Sequence, residues 1–79
     1  MNNEPWVEVD QKLYKQFVFK DFTEALSWML KAAFVIEKLN HHPEWSNVYN
    51  KVTIYLTTHD AGNTITQKDR DLAKALDLV

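Results

Sequence analysis

Residues 48–59 read VYNKVTIYLTTH. Val52, Ile54 and Leu56 alternate with Thr53, Tyr55 and Thr57, the period-two pattern of a strand with one face on a core. On that register His59 ends the strand, on the Tyr55 and Thr57 side. A second run of the same kind, LYKQFVFKDF at residues 13–22, puts Leu13, Phe17 and Phe19 on one side. Two shorter strands complete the set. Residues 6–9 precede the second run across the polar turn 10–12, and Pro5 confines that strand to an edge or a start. Residues 45–49 precede the quoted run and turn at Asn50.

Between these strands the period changes. Thr23 is the expected N-cap of a helix over residues 23–39, with Glu24 in the first turn, where the helix dipole favours an acid. Leu26, Met29, Leu30, Ala33 and Glu37 form one stripe along it. Ala25, Trp28, Ala32, Val35, Ile36 and Leu39 form a second beside the first. Together the stripes exceed the roughly 100° apolar face of an ordinary surface helix, so this helix is expected to meet its own sheet and a second partner. Asn40 and Pro43 end it, because a residue before proline avoids the α region. A loop with the single glycine leads to TQKD at residues 66–69, which resembles a capping box with Asp in place of Glu. Leu72, Ala73, Leu76 and Val79 then share a helix face with Asp69. The order β-β-α-β-β-α predicts one α+β domain over 1–79: a four-stranded antiparallel sheet with two helices packed on one face.

Composition bounds what such a domain does. Nine Lys and Arg against eleven Asp and Glu give a net charge of −2, which argues against a nucleic-acid binder. The absence of cysteine excludes a disulfide framework, a thiolate zinc site and a thiol nucleophile, and fits a cytoplasmic protein. The longest apolar run, residues 32–36, falls far short of the roughly 20 residues of a membrane span. The N-terminus lacks the basic and apolar regions of a signal peptide. A chain this short buries only about 60% of its unfolded surface, so oligomerisation is the expected supplement.

Chemistry concentrates in three histidines. His41 and His42 are adjacent in a loop stiffened by Pro43, and His59 ends a strand. Imidazoles titrate near neutrality and suit proton transfer, although adjacent loop histidines are as readily plain exposed polar groups. His41, His42, His59 and Asp60 are also donors of the zinc-binding type. Against that, there is no His-x-x-x-His pair, and neighbouring loop residues rarely face one ion. Trp45 is open between a pocket wall and core packing, and Asp69 between a histidine partner and a plain first-turn acid. The residues by themselves reach a small α+β domain with a histidine cluster.

Taken together, EKLNHHPEW at 37–45, VYNKV at 48–52, LTTHDAG at 56–62 and the trio Asp69, Leu72 and Ala73 resemble the pterin-4a-carbinolamine dehydratase family. FVFKDF at 17–22 is similar to that family's second strand and its entry into the long helix. The resemblance implies dehydration of a 4a-hydroxytetrahydropterin to the quinonoid dihydropterin, in tetrahydropterin recycling, with no metal or organic cofactor. It implies His41 and His59 as the acid/base pair and His42 as the group that binds and orients the pterin. Pro43 and Trp45 would shape the pocket, with Glu37 and Asp69 in support. It further implies a homodimer or homotetramer built through a sheet edge and helix 23–39. Three departures stand out. Asn40 replaces an Asp found in some members, the 61–66 loop is one residue longer, and nothing corresponds to the N-terminal helix of longer members. From a different class, the alternative is a non-catalytic pterin-binding or protein-interaction module that docks through the long helix.

Overall fold

A computed structural model describes residues 2–79. Its elements run β1 (Val7–Val9), β2 (Lys12–Val18), α1 (Phe22–Leu39), β3 (Glu44–Val48), β4 (Lys51–Leu56), a 3₁₀ turn (His59–Ala61) and α2 (Gln67–Asp77). The strands form one antiparallel sheet in the order β1-β2-β4-β3. Strand β4 therefore lies inside the sheet. Its Val52, Ile54 and Leu56 are fully buried, as the alternation predicts, and they pair across the ladder with Phe17, Lys15 and Leu13 of β2. Both helices cover the same face. Ala25, Trp28, Ala32 and Ile36 of α1 and Leu72, Ala73 and Leu76 of α2 join the strand residues in one core. The other face carries Tyr14 and Tyr55, whose rings lie 5.0 Å apart.

Local chemistry moves several boundaries. The first helix begins at Phe22 and its N-cap is Asp21, not Thr23. Asp21 is extended, and its carboxylate accepts the Glu24 N–H at 2.9 Å, which leaves Thr23 inside the first turn. The turn expected at Asn50 falls at Tyr49 and Asn50, with Val48 closing β3 and Lys51 opening β4. Tyr49 takes a positive φ of 52° at the turn between them. Asn47 holds that turn through its side-chain amide, which donates to the Tyr49 and Lys51 carbonyls at 3.1 and 2.9 Å. The turn joining β1 to β2 has two central residues, Asp10 and Gln11, both at positive φ. That backbone matches the right-handed twist of a tight hairpin without the usual glycine. Val79 lies beyond the end of α2 and outside the core.

The two α1 stripes are covered only in part: Met29 of the first packs against the core, and Leu39 of the second is exposed. Leu26, Leu30 and Phe34 are exposed, Phe34 by 78%, while the Ala25–Trp28–Ala32–Ile36 line is buried. Lys15, on the core face of β2, is a further feature unforeseen in the sequence. Its ammonium meets the Asp77 carboxylate at 2.8 Å, and Trp6 Nε1 donates to the same oxygen at 3.1 Å. One carboxylate thus ties the segment before β1, the centre of β2 and the end of α2, and it gives the buried ammonium its required partner.

The corrected cap makes a direct prediction. Asp21→Ala should lower unfolding stability by about 1 kcal/mol in a denaturant titration, with Thr23→Ala within about 0.5 kcal/mol of wild type. Equal losses would return the cap to Thr23.

Candidate functional site

The site is assembled where three chain reversals meet. At the end of α1, Asn40 adopts the left-handed conformation, with φ 51° and ψ 44°. Its N–H donates to the Glu37 carbonyl at 3.1 Å, and the His41 N–H to the Ile36 carbonyl at 3.4 Å. This pair of bonds is the Schellman arrangement, which satisfies the last helix carbonyls and turns the chain sharply. Asparagine is one of the few side chains that tolerate it. Asn40 therefore has a backbone role that sets the direction of His41 and His42.

The second reversal follows β4. Thr58 continues the buried face of Leu56 and bridges back to Thr64, its N–H donating to the Thr64 carbonyl at 2.9 Å. His59 is thus outside the strand expected to end on it, in the first position of the 3₁₀ turn. Gly62 closes that turn at φ 78°, and its N–H donates to the His59 carbonyl at 3.1 Å. Open space surrounds the position where its Cβ would stand, so glycine is favoured there by backbone conformation alone. Asn63, also at positive φ, places its Oδ1 3.1 Å from His59 Nδ1.

The third reversal is the start of α2, and it carries the decisive contacts. Thr66 and Asp69 form the capping box anticipated from TQKD. Asp69 is fully buried. Its Oδ2 accepts the Thr66 N–H at 2.8 Å and the Thr58 hydroxyl at 2.7 Å, while Oδ1 lies 2.6 Å from His41 Nε2. Burial pushes the Asp69 carboxyl up. The hydrogen bonds from His41, the Thr66 amide and the Thr58 hydroxyl, with the charge of His41, outweigh it and hold the group below its ordinary value. An ionised Asp69 accepts from His41, so neutral His41 carries its proton on Nε2 and leaves Nδ1 with a lone pair. His42 has a parallel but exposed arrangement, its Nε2 lying 2.6 Å from Glu37 Oε1.

His41, His42 and His59 border one open cavity of about 320 Å³, together with Asn40, Thr57, Thr58, Asp60 and Lys68. Glu37 and Asp69 stand behind it, each engaged by one histidine. Pro43 and Trp45 are not among its lining residues. Trp45 lies on β3 opposite Ile54, half-buried against the core. Among the described residues no three His, Asp or Glu side chains converge as metal ligands. Lys68 and Thr58 are members of the site unforeseen in the sequence. Thr58 had a signal, since extending the Val52–Ile54–Leu56 alternation by one step places a hydroxyl on the buried face. Lys68 had none beyond its place next to Asp69.

Comparison with known proteins gives one consistent result. The family described as pterin 4 alpha carbinolamine dehydratase matches residues 1–79. A protein of Solibacter usitatus, provisionally named a pterin-4-alpha-carbinolamine dehydratase, is 54% identical over 72 residues, spanning 91% of this chain and 75% of its own length. The crystal structure of a transcriptional coactivator/pterin dehydratase from Brucella melitensis superposes with a TM-score of 0.85 at 41% identity, covering 92% of this chain and 79% of that one. A pterin dehydratase-like protein identified as a RuBisCO assembly factor in the alpha-carboxysome shares the fold, with a TM-score of 0.83 at 18% identity. That match covers 99% of this chain and 92% of that one.

Asp69 contributes stability with a definite pH sign. Its folded-state pKa lies below the unfolded value, so the stabilisation is complete above the ordinary carboxylate range and fades as pH falls through the depressed value. Asp69→Asn turns an acceptor into a donor that faces existing donors, and should cost on the order of 3 kcal/mol at neutral pH. The gap between wild type and variant should narrow below about pH 4 in urea titrations. A gap independent of pH would contradict an ionised Asp69.

Proposed function

The chain belongs to the pterin-4a-carbinolamine dehydratase family, and on that footing we propose that it is a hydro-lyase converting 4a-hydroxytetrahydropterin to quinonoid dihydropterin and water. The observation that carries this reading is the convergence of His41, His42 and His59 on one cavity, with two of the three imidazoles held by carboxylates. Dehydration requires one proton delivered to the departing 4a-hydroxyl and one taken from the adjacent ring nitrogen, whose electron pair closes the new double bond. The chemistry needs proton donors and acceptors and no redox partner, so the reading invokes neither a metal nor an organic cofactor. Two positioned imidazoles supply it, each transfer contributing typically 10²–10⁴-fold.

In this reading His41 is the base. The Asp69 bond fixes the tautomer that leaves Nδ1 free, and the buried carboxylate stabilises the imidazolium that forms when Nδ1 takes the ring proton. His59 is the acid. Asn63 Oδ1 accepts from its Nδ1–H, which leaves Nε2 to protonate the leaving oxygen. Solvent at the open cavity returns the proton from His41 to His59 after each turnover. His42, braced by Glu37, binds and orients the pterin. Lys68 and Asp60 complete the polar wall. Pro43 stiffens the histidine loop, and Trp45 supports the site from the core. The proposed setting is tetrahydropterin recycling in the cytoplasm.

Assembly belongs to the same proposal. The exposed α1 side chains Leu26, Leu30 and Phe34 form an apolar surface. We read it, with a sheet edge, as the interface of a homodimer or homotetramer.

Two outcomes are expected. His41→Ala and His59→Ala should each lower kcat about 100-fold or more when quinonoid dihydropterin formation is followed by absorbance, and the double variant should approach the spontaneous rate. Full activity in the double variant would sink the assignment. Leu30→Glu with Phe34→Glu should shift sedimentation to a smaller species of unchanged helical signal. Sedimentation identical to wild type would remove α1 from the interface.

A further inference from the structure

Beyond the histidines, one buried hydroxyl lies between the helix cap and the site. Thr58 is 6% exposed and belongs to neither helix, yet its Oγ1 is 2.7 Å from Asp69 Oδ2 and 2.6 Å from Thr66 Oγ1. The protons in this cluster have one consistent arrangement. A threonine hydroxyl carries a single proton. Asp69 is an ionised acceptor, so Thr58 donates to it. Thr66 must then donate its own hydroxyl proton to Thr58, while Thr66 Oγ1 accepts the Asp69 backbone N–H through the capping box. No buried side-chain polar atom is left without a partner among the described residues.

We infer that Thr58 is a positioning residue for the dehydration: its hydroxyl, oriented by Thr66, holds the Asp69 carboxylate with Oδ1 toward His41 and so keeps His41 in the tautomer that presents Nδ1 to the cavity. This rests on the functional reading above for its kinetic consequence, but its structural claim stands apart from it. The geometry requires the hydroxyl. Asp69 Oδ2 has two donors, the Thr66 amide and Thr58. The amide belongs to the cap and holds one end of the carboxylate near α2. Thr58 approaches from β4, the other side of the junction, and two donors from different elements fix the plane of the group. With only the amide left, the carboxylate can turn about it, and the His41 bond loses its fixed direction. The capping box of α2 thereby acts on His41 as well as on the helix. Conserving the hydroxyl matters more than conserving the side-chain shape.

The experiment uses full-length protein with ¹⁵N-labelled histidine and three variants. Thr58→Val keeps the shape and removes the hydroxyl, whereas Thr58→Ser keeps the hydroxyl and removes the methyl. In wild type and Thr58→Ser, His41 should show one tautomer, protonated on Nε2. Thr58→Val should show mixed Nε2–H and Nδ1–H signals. Its kcat should fall about 10-fold with KM within about twofold, a change of the size expected for losing one hydrogen bond to a charged group. Thr58→Ser should recover kcat to within about threefold of wild type. A merely structural role would lower melting temperature in Thr58→Val and leave the tautomer and the kcat of the folded fraction unchanged, and that result overturns the inference. Should Thr58→Val not fold, Thr58→Ala against Thr58→Ser makes the same comparison at equal methyl loss. A single Nε2–H tautomer in folded Thr58→Ala overturns the inference equally. If wild-type protein shows no dehydration, the functional reading fails, and the tautomer signals still decide the role of Thr58.

Discussion

The site depends on one buried carboxylate. Asp69 receives a backbone amide, a threonine hydroxyl and an imidazole, which arrive from the start of α2, the end of β4 and the loop after α1. A buried carboxylate without donors would be driven toward protonation, and three donors reverse that tendency. The same contacts that make the charge tolerable also fix the His41 tautomer. Stability and the orientation of His41 are therefore coupled at this position, since a change that empties the pocket of donors affects both. Burying an ion seldom increases stability over an apolar replacement, and at Asp69 the compensating return is a directed imidazole.

The fold places these groups by simple means. An interior strand, β4, carries Val52, Ile54 and Leu56 into the core and then continues as Thr58 on the same face. The long helix ends in a left-handed Asn40, which reverses the chain toward that strand end. The 3₁₀ turn sets His59 beside the same cavity. None of the three histidines lies within an α-helix or strand, so each can be aimed by capping geometry while the sheet stays regular. Rigid elements supply the frame, and short reversals carry the histidines.

Much of this was legible in the sequence, for physical reasons. The Val52–Ile54–Leu56 alternation, the change of period after residue 22, and the TQKD cap are local signals that tertiary structure reinforces. The three histidines were readable as a cluster only because the strand end and the His-His-Pro loop were both recognised, and their convergence depended on the topology. The misses have local causes. Asp21 competes with Thr23 for the cap because both have suitable side chains two residues apart, and extended backbone at Asp21 decides it. The turn expected at Asn50 begins one residue earlier, at Tyr49, because that aromatic residue takes a positive φ that sequence pattern does not favour. Lys15 sits where alternation predicts an apolar residue, and its partner Asp77 lies 62 positions away. The same fold also serves the RuBisCO assembly factor noted above, so fold alone does not decide activity. The histidines and their carboxylates carry that argument here.

The most direct test of the account is a ¹⁵N-resolved NMR titration of the protein with a stable dihydropterin. The account predicts that shift changes centre on His41, His42, His59, Asp60 and Lys68, with the Nδ1 signal of His41 moving and its Nε2 proton still donated to Asp69. Changes centred on Tyr14 and Tyr55 of the open sheet face, or on the exposed stripe of α1, with the histidine signals unmoved, would contradict it.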